Sequence, residues 1–308
     1  MRKTVNETHI EGLLYEHNLE EKVTGEKSKN PGTKYIGGSI KVATNDKLDN
    51  ICEVFYTYVT PTTSKGGKNK TYTALKSIID GNVGTMMKNG KENAGKVSIN
   101  SSLVLNEWFD KDDNLVSTPR NEGGFIDIVS EINEDEKKRN TFKTDILITG
   151  LKRVEADDER QIAEHLDIRG AIFNFRKEIM PITYSVYNEK AMDYFESLEP
   201  SSKNPIFTKV WGRQESLVVK QQKIEESAFG EPSITEVNRT RKSLTITGAL
   251  QDHYEWDTEE DILATEVQEA QAQRELKLAE IKTRRDEYNA QKVSGNAPAP
   301  VAMDGFDF

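Results

Sequence analysis

At 308 residues, with 35% of them hydrophobic and 31% charged, the chain is long enough for two domains of ordinary size and too polar for one large core. No apolar run approaches the length of a membrane span or a signal h-region, and the single cysteine, Cys52, excludes an internal disulfide and any cysteine-built metal site. The formal net charge of −10 argues against an anionic partner only until it is mapped: Glu255 to Phe308 holds 13 acidic and 6 basic residues (−7), leaving 39 acidic and 36 basic (−3) for everything before it.

Period-2 apolar patterns dominate the first 250 residues. Strands are predicted at Ile10 to Tyr15, Tyr35 to Ala43, Ile51 to Val59, Val97 to Phe109 and Thr141 to Val154. One short helix interrupts them at Thr73 to Ile79, where Leu75, Ile78 and Ile79 share a face before Gly81. A second unit follows the charged stretch Glu155 to Arg160. It has strands near Leu166 to Phe173 and Pro181 to Tyr187, a helix at Glu189 to Leu198 with Met192, Phe195 and Leu198 inward, and a long strand from Ile206 to Val219.

Leu166 to Phe173 echoes His9 to Tyr15, and Thr240 to Leu250 (TRKSLTITGAL) echoes Phe142 to Leu151 (FKTDILITGL). With the same helix placement in both units, these echoes indicate an internal duplication. Five strands with a helix after the third describe a small, partly open barrel of the OB type. The expected fold is therefore mostly β: two tandem OB-like small barrels, a C-terminal α-helix and a disordered tail. The first barrel is expected over residues 1–156, with its fifth strand near Ile148. The second, shorter by a strand or with a tight hairpin at Met180-Pro181, is expected over residues 157–256.

From Asp257 the period becomes helical, and residues 257–292 are predicted as a helix with Thr258 as N-cap and Asp261 at the reciprocal position. Residues 293–308 (VSGNAPAPVAMDGFDF) supply no core and read as a flexible acidic tail.

Catalytic patterns are absent. His9, His17, His165 and His253 are scattered without metal-ligand spacing, and there is no nucleophile elbow, phosphate loop or dinucleotide fingerprint. The expectation is a protein without enzymatic activity, cofactor or metal. Binding chemistry is better represented. The loop Pro61 to Lys70 carries Lys65, Lys68 and Lys70 with no acid, and its glycines let it follow a phosphate backbone. Tyr56 and Tyr58 share one strand face, in the second unit Phe173 and Phe175 share a face with Arg169 and Ala171, and Trp211 is followed by Gly212-Arg213. Aromatic side chains beside cations on a sheet can stack bases of any sequence.

The chain ends in Asp304-Gly305-Phe306-Asp307-Phe308. An OB barrel, a Gly/Pro-rich tether and a short acidic tail with a terminal Phe resemble the layout of bacterial single-stranded DNA-binding proteins. The two barrels, the long helix and a final Asp-Phe in place of Pro-Phe look more like a bacteriophage or prophage version. The resemblance implies sequence-nonspecific binding of single-stranded DNA in phage DNA replication or recombination, in the cytoplasm of a bacterial host, with no membrane partner and with room for self-association. Lys65, Lys68, Lys70, Lys152, Arg153, Arg176 and Arg213 would neutralise phosphates, and Tyr56, Tyr58, Phe173 and Trp211 would stack. The tail residues Asp304, Phe306, Asp307 and Phe308 would dock replication or recombination proteins. The alternative is a β-rich structural or adaptor protein of a virion or complex, using its C-terminal helix and tail for protein contacts.

Overall fold

Alternation decides the strands. In the segment NETHIEGLLYEH, every second residue from Thr8 to Leu14 is buried and the intervening ones are not, as a half-buried pleated strand requires. The computed structural model describes residues 1–26, 28–157, 162–225 and 233–293. In chain order these form β1 (Asn6–His17), β2 (Glu20–Val23), β3 (Lys34–Ala43), β4 (Ile51–Val59), α1 (Lys70–Ile79), α2 (Met86–Asn89), β5 (Lys96–Phe109), β6 (Leu115–Val129), β7 (Asn140–Val154), β8 (His165–Phe173), β9 (Ile179–Val186), α3 (Glu189–Ser197), β10 (Ile206–Glu225), β11 (Ser233–Ala249) and α4 (Ala264–Val293). The protein is mostly β, with one large sheet and a C-terminal helix. No helix among the described residues is long and apolar enough to cross a membrane.

The strand pairings close on themselves twice. In the first cycle β1 pairs with β3, β3 with β4, β4 with β6 in parallel, β6 with β5, and β5 with β1. In the second, β7 pairs with β8, β8 with β9, β9 with β11 in parallel, β11 with β10, and β10 with β7. Both cycles have the same strand connectivity, with a helix after the third strand, α1 (followed by the short α2) in the first cycle and α3 in the second. β1 and β7 pair antiparallel and join the cycles into a single sheet.

This topology corrects three sequence expectations. The strand containing Ile148, expected as fifth in the first unit, is the first strand of the second cycle. The first cycle's fifth strand is β6, whose alternation is hidden by Pro119, Gly123 and Gly124; only Asn121 and Ile126 are buried along it. Gly124 has φ +92°, and a Cβ there would lie 1.8 Å from the Asn100 carbonyl oxygen, so an irregular, glycine-bearing strand is what this crossing requires. Consequently the second unit is not short of a strand: Met180-Pro181 lies within β9, and Pro181 is tolerated there as an exposed residue. The sequence echoes also pair non-equivalent strands, β8 with β1 and β11 with β7, although the duplication at the level of element order is visible.

Each cycle encloses its own core, and α1 and α3 each plug one. Asn69 caps α1 by accepting the Thr71 and Tyr72 amides, and Asn188 caps α3 by accepting the Ala191 amide. Leu75 and Ile78 on α1, and Met192 and Phe195 on α3, are one turn apart and buried. The first core gathers Ile10, Leu14, Ile40, Val54 and Tyr56 around α1, the second Ile146, Ile168, Ile182 and Tyr184 around α3. Leu103 of β5 is buried in the second core rather than the first.

The C-terminal helix begins later than expected. Residues 254–262 instead fold back onto the sheet, with bridges from Phe207 to Tyr254 and from Trp256 to Ile262. The reason is apolar: Ile262 and Val267 cover Leu147, Phe173 and Phe207 on the outer face of the second cycle. The Thr258 hydroxyl still accepts the Asp261 amide (3.4 Å), but the first helical turn is capped by the Asp257 carboxylate, which accepts the Ala264 amide at 3.0 Å.

Because α1 fills the first cycle with two side chains, Leu75→Ala is expected to cost about 2–5 kcal/mol, read as a lower midpoint in chemical denaturation. An unchanged midpoint would show that the helix is not the plug.

Candidate nucleic-acid interface

The β1–β7 junction carries side chains from both cycles on one face. Register makes the arrangement explicit. His9 lies opposite Asn100 of β5 on one side and Thr141 of β7 on the other, and Thr141 lies opposite Arg213 of β10. One rung along, Glu7 opposes Lys143, and Lys143 opposes Trp211. Residues two apart on a strand face the same side, so His9 with Glu7, Thr141 with Lys143, and Arg213 with Trp211 form two adjacent rows across three strands.

These rows floor a cleft of about 700 Å³. Its rim is the short 3-10 turn Glu136–Lys138, which adds Lys137 and Lys138. Four cations, Lys137, Lys138, Lys143 and Arg213, face two carboxylates, Glu7 and Asp135, and the Asp135 carboxylate is engaged in accepting the Lys137 amide (3.1 Å). Trp211 is 39% exposed. Its indole lies against Gly248, where a Cβ would come within 2.4 Å of the ring, so this glycine gives the indole its bed. His9 is oriented by Asn100 Oδ1 at 3.1 Å. Lys138 also pairs with Asp135 at 3.9 Å, both side chains being exposed. Chemically, the surface offers an aromatic plane among cations, suited to a polyanion carrying aromatic groups.

The junction is also braced. The Ser216 amide donates to Asn50 Oδ1 (2.8 Å) and Gln214 Nε2 donates to Asn121 Oδ1 (3.1 Å), so β10 is tied to the first cycle. Asn121 Nδ2 in turn approaches Cys52 Sγ at 3.2 Å. Burial pushes the Cys52 thiol up to about 12, which leaves it a packing residue without thiolate chemistry.

Of the residues singled out from sequence, the structure brings Trp211 and Arg213 together here. Lys65 and Lys68 are exposed on the loop after β4 and Lys70 at the start of α1, and the three form no ion pair among the described residues; the ring of Tyr58, itself exposed, contacts Tyr35 at 4.9 Å just before that loop. None of these lines the cleft. Lys152 is exposed near the end of β7, while Arg153 is bound by Glu164 (2.9 Å) and Glu196 (3.4 Å), Glu164 holding its guanidinium more firmly protonated. Arg176 lies over Phe175 at 5.1 Å on the turn after β8, and Phe175 is the exposed aromatic there.

Two expectations fail on burial. Tyr56 is 1% exposed and Phe173 0%. Tyr56 faces the first core because Cys52, Val54 and Tyr56 form the inward set of β4, and Phe173 lies under Ile262 and Val267. Neither ring is available to stack a base. The tail residues Asp304, Phe306, Asp307 and Phe308 lie outside the described residues. Sequence reasoning missed His9, Lys137, Lys138 and Lys143, which meet only through β1–β7 pairing; the basic run Lys137-Lys138-Arg139 was masked by the three acids Glu134, Asp135 and Glu136 that precede it. Among the described residues no group of three or more His, Cys, Asp or Glu side chains could hold a metal ion.

A family model described as YorF matches residues 4–284 of the chain. Comparison with curated proteins finds no match. Among solved structures, a deletion mutant of the single-stranded DNA binding protein from Thermus aquaticus is similar at 11% sequence identity and a TM-score of 0.45, over 84% of this chain and 100% of that one.

Gly248→Ala is expected to displace the Trp211 indole and shift tryptophan emission, a shift absent when the same substitution is made in a Trp211→Phe background. Equal shifts in both would mean that the glycine does not seat this ring.

Proposed function

The chain belongs to the YorF family, and for this member we propose sequence-nonspecific binding of single-stranded DNA, centred on the cleft at the β1–β7 junction. The observation that carries the reading is the juxtaposition of the half-exposed Trp211 with Lys137, Lys138, Lys143 and Arg213 on one face spanning both cycles. Phosphates of a single strand would pair with the cations while a base stacks on the indole, a contact worth roughly 1–3 kcal/mol and indifferent to base identity. The loop bearing Lys65, Lys68 and Lys70, with Tyr58 and Tyr35 beside it, would serve as a second contact for a longer strand, and Lys152 and Arg176 as outlying ones.

The wider reading has three parts. The two pairing cycles, each with a helix between its third and fourth strands, support two OB-like barrels, with the division falling between Val129 and Asn140. The C-terminal region from Leu250 onward would then serve the second barrel and the helix α4. Action in phage replication or recombination, with Asp304, Phe306, Asp307 and Phe308 docking partner proteins, is supported by the tail sequence.

Affinity for oligothymidine is expected to fall with salt, with a slope near −0.7 per phosphate contact. Changing Lys137, Lys138 and Lys143 together to Ala should flatten that slope by about 2, and Trp211→Ala should weaken binding by roughly 1–3 kcal/mol. Fluorescence titration at several salt concentrations measures all three. No binding at low salt would end the reading. If instead only the Lys65, Lys68 and Lys70 triple substitution to Ala flattens the slope, the strand lies on the first cycle and not at the junction.

A further inference from the structure

The cleft does not end at Arg213. Lys137 and Arg213 also line a cavity of about 260 Å³, and Gln214 and Glu215 of that cavity line in turn a groove of about 1070 Å³. Neighbouring depressions thus share lining residues along β10, Arg213 between the first two and Gln214 and Glu215 between the second and third. The groove's floor is the outward face of β8 and β9, with Arg169 and the His165–Tyr187 ring pair at 5.1 Å. Its roof is the limb of β6 from Leu115 to Asn121, which reaches across from the first cycle.

Helix α4 holds the end of that roof. Arg274, partly buried, forks two N–H groups onto the carboxylate of Glu107, which is 8% exposed. Two turns on, Lys282 pairs with Asp113 at 2.6 Å, and Arg285 donates to the Asp110 carbonyl at 2.9 Å and to the Asp113 carboxylate. The Phe109 ring lies beneath both cations, at 5.7 Å and 5.6 Å. Lys282 and Asp113 are about half exposed, so their pairing is weakly held and readily exchanged for another anion, whereas the Arg274–Glu107 fork is well shielded from water.

We propose that α4 is a latch on the β5–β6 hairpin, and that a single strand bound in the Trp211 cleft continues into the groove beneath it. Lateral entry then requires Lys282 and Arg285 to release Asp113, with the Arg274–Glu107 fork remaining as the hinge. This rests on the single-strand reading above. The occupant follows from the lining: Arg169 and Lys242 face the groove without an ion pair among the described residues, while two of its three acids are engaged, Asp167 by Ser185 (3.4 Å) and His165 (3.3 Å) and Glu53 by Ser39 (2.6 Å), leaving Glu215 as the third. Unpaired cations beside an aromatic pair, continuous with a basic aromatic cleft, suit the same polyanion.

The test closes the latch covalently. In Asp113→Cys/Lys282→Cys the two thiols are joined by a flexible bismaleimide, Cys52 being buried and its thiol unreactive. Unjoined, the variant should bind linear and circular oligothymidine alike. Joined, it should still accept linear strands by threading from an end but bind circular strands about tenfold more weakly or more slowly. Equal binding of circular strands before and after joining would overturn the latch while leaving the single-strand reading intact; failure of wild-type protein to bind either form would overturn both. Amide exchange on the unmodified protein supplies an independent check, since a saturating linear strand should protect Leu166 to Ser185, and protection confined to the strands of the Trp211 cleft would also overturn the inference.

Discussion

The antiparallel pairing of β1 with β7, from Asn6 opposite Thr144 to Ile10 opposite Asn140, is the constraint on which the molecule depends. Residues 8 to 10 of β1 are paired on both sides at once, with β5 and with β7, so the first cycle and the second share a continuous hydrogen-bonded surface rather than a linker. Because side chains alternate with a period of 2, a slip of one residue here would turn His9, Lys143 and the rows they belong to away from Trp211. The face at the junction exists only in this register.

Other interactions then prevent the two cycles from rotating about that seam. Leu103 leaves the first cycle to pack in the second core, Ser216 and Gln214 reach back to Asn50 and Asn121, and α4 runs from the outer face of the second cycle to the tip of the β5–β6 hairpin. A preformed cleft loses less conformational freedom when it takes a ligand. The same bracing explains why a chain whose composition allows only thin cores can keep long strands in order: β5, β6, β7 and β10 each extend beyond one cycle and find partners in the other or in α4.

Much of this was legible in the sequence, and the failures share a physical cause. β1, β3, β4, α1, α3 and the start of β10 announce themselves by period because one face of each is buried in one core. β6 does not, since Pro119, Gly123 and Gly124 break its alternation where it crosses β5. Missing it made β7, which pairs with β8 and β10, the expected fifth strand of the first unit in place of β6. At the site, Trp211 and Arg213 were visible as an aromatic and a cation two residues apart on a strand. His9, Lys137 and Lys143 were not, because no local pattern records a contact made by strands more than 100 residues apart in sequence. Tyr56 and Tyr58 show the converse limit: alternation places both on one face, but Tyr56 is buried in the first core and Tyr58, near the end of β4, is exposed.

The central claim is that a single strand lies across the β1–β7 seam. It is tested most directly by photo-cross-linking an oligothymidine carrying halogenated bases to the full chain and mapping the modified peptides. Adducts at Trp211 and in the peptide containing His9 are expected. Adducts confined to Tyr35, Tyr58 or Phe175 would place the strand on the outer surface of one cycle or the other and contradict the account.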